Sequence, residues 1–141
     1  MYKGEPTKGL DFYNLLFNSD DFTIELGKVT LAAGKLEAEM ILFFNRKGVN
    51  EKTNGKTLGT LISIGKKNNL FDINLTTSLE LICKQRNYFT HNIYSLFIEL
   101  IDETILKRKK LIDTDIVTYS DYAYQLRDNL NDLARLISEK K

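Results

Sequence analysis

Residues 20–46, DDFTIELGKVTLAAGKLEAEMILFFNR, form the stretch that decides the fold class of this chain. Apolar residues recur along it at intervals of three and four, the spacing that places side chains on one face of a helix. Asp20 or Asp21 can cap this helix at its start, and Gly48 can stop it just after Arg46. The apolar stripe consists of Phe22, Leu26, Val29, Ala33, Leu36, Met40 and Phe43. The sequence therefore predicts a long amphipathic helix that other helices must cover.

Small residues keep parts of this helix thin; they are Gly27, Ala32, Ala33, Gly34 and Ala38. A glycine in a helix interior costs about 1 kcal/mol relative to alanine. Close packing of another helix against these positions is one compensation, so we expect a close helix–helix contact here.

The middle of the chain predicts two further helices. Residues 49–56, VNEKTNGK, are polar and include Asn-Gly, which indicates a loop. A short helix is expected over residues 57–67, and the next helix starts near Asn74, although Thr76 or Thr77 could equally be its cap. The apolar stripe of that later helix is Leu75, Leu79, Ile82 and Cys83.

The C-terminal part predicts two more helices. The first carries Tyr94, Phe97, Ile98, Ile101 and Ile105, and it ends in the basic run Lys107, Arg108, Lys109 and Lys110. A linker is expected over residues 111–119, and Ser120 can cap the last helix. That helix repeats apolar residues every three to four positions, at Ala123, Leu126, Leu130, Leu133 and Ile137.

These helices and their short loops predict an all-α fold, a four- to five-helix up-and-down bundle. The only proline is Pro6, so no proline ring bars later residues from a helix. We expect one domain over residues 1–141, with residues 1–19 as an N-terminal extension that is partly irregular.

The composition excludes several kinds of chemistry. The 141 residues carry 20 Lys and Arg against 19 Asp and Glu, and the net charge of +1 argues neither for nor against a nucleic-acid partner. One Cys excludes an internal disulfide and a thiolate-rich zinc site, and one His excludes a multi-histidine metal site within one protomer. We expect no cofactor, no membrane-spanning segment and a reducing, cytoplasmic location.

The stretch 84–94, KQRNYFTHNIY, contains the only histidine. Arg86 extends the apolar stripe of the helix before it, and His91 extends that of the helix after it, so both are expected on the packed side. Five residues turn an ideal helix through about 500°, which leaves these two side chains about 140° apart, whereas Asn87 and His91 share a face. Either the helix breaks between Arg86 and His91, or a cleft gathers residues from more than one element or chain. The alternative is structural: a packed, hydrogen-bonded histidine and an arginine that meets a carboxylate.

The pattern R-N-x-x-x-H in an all-α bundle resembles the HEPN superfamily, whose signature is Arg, four to six residues, then His. The resemblance maps onto Arg86, Asn87 and His91. It implies a HEPN-like fold and a metal-independent endoribonuclease of toxin–antitoxin, abortive-infection or antiviral systems. It also implies a homodimer in which two such motifs share one cleft, with RNA as substrate and an antitoxin or defence protein as a possible partner.

The chemistry of RNA cleavage agrees with these residue types. Cleavage without metal needs a base for the 2′-hydroxyl proton, an acid for the leaving 5′-oxygen and a cation for the phosphate. His91 suits the acid–base roles and Arg86 the phosphate, because a guanidinium stays charged and binds phosphate oxygens in a fork. Asn87 would orient the site or the substrate. One histidine per protomer makes a two-fold dimer the simplest source of a second.

Further residues have two interpretations each. The run Lys107, Arg108, Lys109 and Lys110 could contact the RNA backbone or simply stabilise a helix end. Tyr88 could stack a base or wedge the helices apart, and Tyr94 is either a modification target or core. Glu37 or Glu39 could orient the motif from the facing helix. The alternative functions are a non-catalytic HEPN-like module for dimerisation or for nucleotide or RNA binding, and an unrelated bundle with a chance motif.

Overall fold

The chain folds into a bundle of helices in the computed structural model, which describes residues 2–7, 9–91 and 111–141. Within these ranges lie five helices and one two-stranded pairing: α1 (Gly9–Asn18), α2 (Asp20–Arg46), α3 (Leu58–Lys67), α4 (Ile73–His91), α5 (Asp115–Ser138), β1 (Pro6–Thr7) and β2 (Leu111–Ile112). The predicted all-α bundle is confirmed. The helix predicted around Tyr94–Ile105 and the basic run that ends it lie outside the described residues.

Helix α2 begins and ends close to the predicted positions. Its cap is Ser19, whose hydroxyl accepts the N–H of Phe22 at 3.1 Å, and the two aspartates expected as caps occupy the first turn. At the other end Gly48 has a φ of +70°, a left-handed conformation that glycine adopts without steric cost. The N–H of Val49 donates to the carbonyl of Phe44 at 3.1 Å, so Gly48 stops the helix as predicted.

The apolar stripe of α2 forms the centre of the core and packs mainly along α5. The rings of Phe22 and Tyr119 lie 6.3 Å apart near the starts of the two helices, and Arg46 donates to the carbonyl of Lys140 at 3.1 Å near their ends. Helices α2 and α5 therefore run in the same direction.

Helix α4 runs in the direction opposite to α2. Phe71, just before α4, stacks on Phe43 near the end of α2, with ring centroids 5.7 Å apart. Phe89, near the end of α4, packs on Phe22 near the start of α2, at 6.4 Å. This antiparallel pair is what an up-and-down bundle predicts.

Two helix starts differ from the predictions. Helix α5 begins at Asp115, and Ser120 is an interior residue whose hydroxyl donates to the carbonyl of Ile116 at 3.0 Å. Residues 115–119 of the expected linker are helical because Ile116 and Tyr119 continue the spacing of the buried stripe, and packing overrides a local cap signal. Helix α4 begins at Ile73 because the Asp72 carboxylate accepts the N–H of Leu75 at 2.7 Å.

The N-terminal region is more regular than expected. Residues 9–18 form α1, and two of its side chains, Phe12 and Leu16, are buried in the core. Residues 2–5 precede β1, which pairs antiparallel with β2. The carboxylate of Asp113 accepts backbone N–H bonds from Lys3, Gly4 and Glu5, at 3.2, 2.8 and 3.1 Å respectively. We call this arrangement the Asp113 clip.

Candidate functional site

The predicted motif lies on one unbroken helix. Helix α4 contains neither glycine nor proline and continues through Arg86 and Asn87 to His91, its last residue. The helix therefore does not break between Arg86 and His91. The other predicted alternative remains: a cleft that uses both residues must also involve another element or another chain.

Arg86 occupies the packed side of α4, as predicted. It follows Leu79 and Ile82 along the buried stripe and precedes Phe89, and all three of these apolar side chains are buried. Arg86 itself is half-buried, and its Nε is buried without a hydrogen-bond partner. No ion pair links its guanidinium to a carboxylate within the described ranges. A desolvated N–H without a partner costs free energy, so this arginine is held in place at some expense to stability.

Asn87 and Cys83 adjoin Arg86 on the same helix. The Asn87 side-chain amide is exposed and donates to Sγ of Cys83 at 3.9 Å. Burial raises the pKa of the half-buried Cys83 thiol, the Arg86 guanidinium lowers that pKa, and the Glu37 carboxylate raises it. The thiol therefore stays protonated at neutral pH, which suits a packed residue of the apolar stripe rather than a nucleophile.

The pKa of Cys83 also distinguishes Glu37 from Glu39, a choice that could not be made from the sequence. Glu37 of α2 is close enough to the thiol to affect its pKa, and so is Arg86 of α4. Glu39 has no such influence on Cys83. Glu37 is thus the acidic residue on the side of α2 that approaches the motif.

The remaining predicted site residues fall into two groups. Tyr88 is half-buried and packs against the core, which agrees with the wedge interpretation and leaves base stacking untested. The side chain of His91 lies outside the described part of the chain, as do Lys107, Arg108, Lys109 and Lys110.

A small pocket of about 230 Å³ lies between α3 and α4, beside Cys83. Glu80 lines it and pairs with Lys66 at 3.0 Å. Its other lining residues are Gly59, Ile62 and Ser63, which no sequence motif singled out. Lys67 pairs in turn with Glu51 at 3.0 Å. These lysines are therefore engaged with carboxylates at the end of α3, the structural role that helix-end cations commonly have.

Two kinds of feature are absent from residues 2–7, 9–91 and 111–141. No group of three or more His, Cys, Asp or Glu side chains there is arranged to hold a metal ion. None of the helices in those ranges combines the length and apolar character needed to cross a bilayer.

No protein-family model, curated protein or solved structure matches this chain.

Proposed function

We propose that this protein is a metal-independent endoribonuclease of the HEPN type, acting as a toxin or an antiviral effector. The observation that carries the proposal is the state of Arg86. Its guanidinium is half-buried, its Nε has no hydrogen-bond partner, and no carboxylate pairs with it in the described residues. A cation that pairs with no carboxylate of residues 2–7, 9–91 and 111–141, one residue before Asn87 and five before His91, is available to a phosphate.

The proposed reaction uses the 2′-hydroxyl of the substrate as the nucleophile. A His91 imidazole takes the 2′-hydroxyl proton, and the 2′-oxygen attacks the adjacent phosphorus. The bond from phosphorus to the 5′-oxygen breaks, and that oxygen receives a proton from a second His91 imidazole. Arg86 stabilises the negative charge on the phosphoryl oxygens. The products are a 2′,3′-cyclic phosphate and a 5′-hydroxyl.

The helical geometry of α4 supports a shared site. Arg86 and His91 occupy positions about 140° apart around one helix, so one chain does not present both to the same phosphate from α4 alone. Two copies related by a two-fold axis can supply Arg86 from one chain and His91 from the other. We propose a homodimer with this cleft at its interface, controlled by an antitoxin or another defence protein.

The test compares wild type with His91→Ala in the same expression host. Wild type should inhibit growth, and the purified protein should cut the host's total RNA in the presence of EDTA, leaving 2′,3′-cyclic phosphate ends. The cleavage rate of His91→Ala should be at least about 100-fold lower than that of wild type, because general acid–base catalysis usually contributes a factor of this size. Thr90→Ala is the matched control, because Thr90 is exposed and its hydroxyl, within the described part of the chain, donates only to backbone carbonyls of α4. Equal growth inhibition and equal RNA cleavage by wild type and His91→Ala would contradict the proposal.

A second candidate function is a non-catalytic HEPN-like module that binds RNA or a nucleotide. The separation of Arg86 from His91 around α4 favours it, because a single chain then offers a phosphate-binding cation without the acid–base group. RNA binding that Arg86→Met abolishes, with no cleavage by any variant, would support this function over the nuclease.

A further inference from the structure

A pocket of about 290 Å³ lies between α4 and α5. Three of its lining side chains are apolar: Ile82 is buried, Leu133 is half-buried, and Leu81 is 54% exposed. Polar side chains from both helices complete the lining. We call it the α4–α5 pocket and define it by six of its residues: Leu81, Ile82, Gln85, Asn129, Asp132 and Leu133. An apolar surface with a few polar groups beside it is typical of ligand sites.

Two carboxamides line this pocket from different helices, Gln85 of α4 and Asn129 of α5. Within residues 2–7, 9–91 and 111–141 neither side chain has a hydrogen bond to another residue, so the fold does not use them. Asn18 and Asn68, by contrast, each donate to the carbonyl four residues earlier, at 2.9 and 2.8 Å. A carboxamide carries two N–H donors and an acceptor oxygen. The pocket therefore offers two donor–acceptor pairs to a ligand.

The charge of the pocket favours a neutral ligand group over a phosphate. Asp132 is the one charged residue among those that line it, and its carboxylate pairs with Arg135 at 3.5 Å. No lysine or arginine lines the pocket in the described part of the chain. A carboxylate repels a phosphate, whereas a planar base is uncharged at neutral pH and can pack its faces against apolar side chains. The lining therefore fits a nucleobase.

Adenine is the base whose edges match two carboxamides. Its amino group has two N–H donors, and the ring nitrogens N1 and N7 accept on either side of that group. One carboxamide can accept an amino N–H and donate to N7, and a second can do the same at N1. Guanine presents only acceptors on its N7 side, which leaves one carboxamide oxygen without a donor. Uracil and cytosine offer one matching edge each.

The α4–α5 pocket adjoins the residue that contacts phosphate in the proposed function. Gln85 directly precedes Arg86, and Ile82 precedes Arg86 by one helical turn, about 6 Å along the axis. This separation is comparable to that between the base and the phosphate of one nucleotide. Gln85 and Arg86 are about 100° apart around α4, so a nucleotide that lies across this part of the helix can contact both.

We infer that the α4–α5 pocket binds an adenine base of the RNA whose phosphate contacts Arg86. The inference rests on the proposed function for the class of its ligand, and it adds the base that the protein selects. Gln85 and Asn129 determine this specificity through hydrogen bonds, and Leu81 and Leu133 contact the face of the base.

The test measures binding of the full chain to four fluorescein-labelled probes by anisotropy. The probes are 2′-O-methyl oligonucleotides of sequence UUXUUU, in which X is A, G, C or U. The 2′-O-methyl group removes the nucleophile, so no probe can be cut. Wild type should bind the adenine probe at least about tenfold more tightly than each of the others, because one bidentate contact discriminates between bases by roughly this factor.

Substitution of either carboxamide should remove the preference for adenine. In Gln85→Leu or Asn129→Leu the remaining carboxamide can bond an edge of any of the four bases, so the four affinities should agree within about twofold. The matched controls are Gln125→Leu and Asn131→Leu, which replace amides of α5 that do not line the α4–α5 pocket. Both controls should keep the preference of wild type.

Gln85→Glu keeps the test decisive if a leucine variant fails to fold. Glutamate matches glutamine in size and helix propensity, but a carboxylate has no N–H to donate to N1 or N7. This variant should melt close to wild type and lose the preference for adenine. The inference is overturned if wild type binds the four probes equally, if Gln85→Glu keeps the preference, or if the two controls lose it.

Cleavage of unmodified RNA, measured separately, keeps the two proposals distinct. A preference for adenine that depends on Gln85 and Asn129, in a protein that cuts no RNA, supports the pocket and contradicts the nuclease. RNA cleavage by a wild type that binds the four probes equally contradicts the pocket and leaves the nuclease standing. Arg86→Met should weaken binding of all four probes by a similar factor, because a phosphate contact does not depend on the base.

Discussion

Arg86 differs from the arginines that stabilise the bundle, and the proposed function depends on this difference. A structural arginine in a bundle commonly pairs with a carboxylate, as Arg127 does with Glu25 at 3.2 Å. Arg127 also lies over the ring of Tyr124, with its Cζ 4.3 Å from the ring centroid. Arg86 instead has a buried Nε without a partner. Arg86 is therefore the arginine that the proposed phosphate contact would use.

We expect Arg86→Met to fold at least as stably as wild type, because methionine keeps an apolar stem and removes a buried Nε–H that has no hydrogen-bond partner. The melting temperature should stay within a few degrees of wild type or rise, since about 1 kcal/mol corresponds to roughly 2–6 °C in a domain of this size. RNA binding should fall at least about tenfold, as expected for loss of a charge-assisted bond worth roughly 1.5–3 kcal/mol. Calorimetry and filter binding measure the two effects.

Arg127→Met is the control for that variant. It removes the ion pair with Glu25 that joins α5 to α2 and the contact with the Tyr124 ring within α5, so its melting temperature should fall. If Arg86→Met is destabilised as strongly as Arg127→Met, Arg86 has a structural role and the main observation behind the proposed function is lost.

The position of a residue on its helix could be predicted where the apolar residues around it are periodic. The spacing of Leu75, Leu79 and Ile82 placed Arg86 on the packed side of its helix, and the structure agrees. The choice between Glu37 and Glu39 could not be made from the sequence. It depends on the angle at which α2 and α4 pack, a property of two distant segments rather than of either one.

Among the elements, the starts of the helices were predicted less well than their faces. Cap signals in the sequence are local and ambiguous, because Ser, Thr, Asp and Asn occur near most helix starts. The actual start of a helix depends on which residue of its buried stripe is the first to contact the core. Ile116 is 2% exposed, which requires α5 to begin before Ser120. Ser19, next to the predicted caps of α2, is itself 8% exposed and bonds the first turn.

Because the two serines differ in this way, we expect alanine at Ser19 to change the free energy of unfolding much more than alanine at Ser120. Ser19→Ala should lower the free energy of unfolding by about 1 kcal/mol, because it removes the cap of α2. Ser120→Ala should change it by only a few tenths of a kcal/mol, because an interior serine that bonds back to a carbonyl adds little to a helix. Urea unfolding followed by circular dichroism gives both values. A larger loss for Ser120→Ala would indicate that α5 begins at Ser120 after all.

At the scale of the whole molecule, the Asp113 clip ties the N-terminal residues to the start of α5. One carboxylate accepts three consecutive backbone N–H groups, and the N–H of Asp113 donates in turn to the carbonyl of Glu5 at 2.9 Å. No sequence pattern predicts this contact, because the partners are more than 100 residues apart and neither segment is periodic. The contact exists only once the bundle has brought the two segments together.

The clip predicts a local effect for Asp113→Ala. The backbone amides of Lys3, Gly4 and Glu5 should lose at least about tenfold of their hydrogen-exchange protection, since each net hydrogen bond contributes about 1 kcal/mol. Amides in the middle of α2 should be unaffected. Asp121→Ala, at an exposed aspartate of α5, is the control and should leave residues 3–5 protected. Unchanged protection of these amides in Asp113→Ala would show that the carboxylate does not hold them.

The parallel packing of α2 on α5 has a consequence for how the protein is made. Helix α2 ends at Arg46 and its main partner begins at Asp115, about 70 residues later. At translation rates of about 5–20 residues per second, α2 leaves the ribosome roughly 4–14 s before α5 can cover it. During that interval the stripe around Leu36 and Met40, fully buried in the finished protein, is exposed. The bundle therefore closes only after α5 has been synthesised, and until then the nascent chain presents this apolar stripe without its main partner.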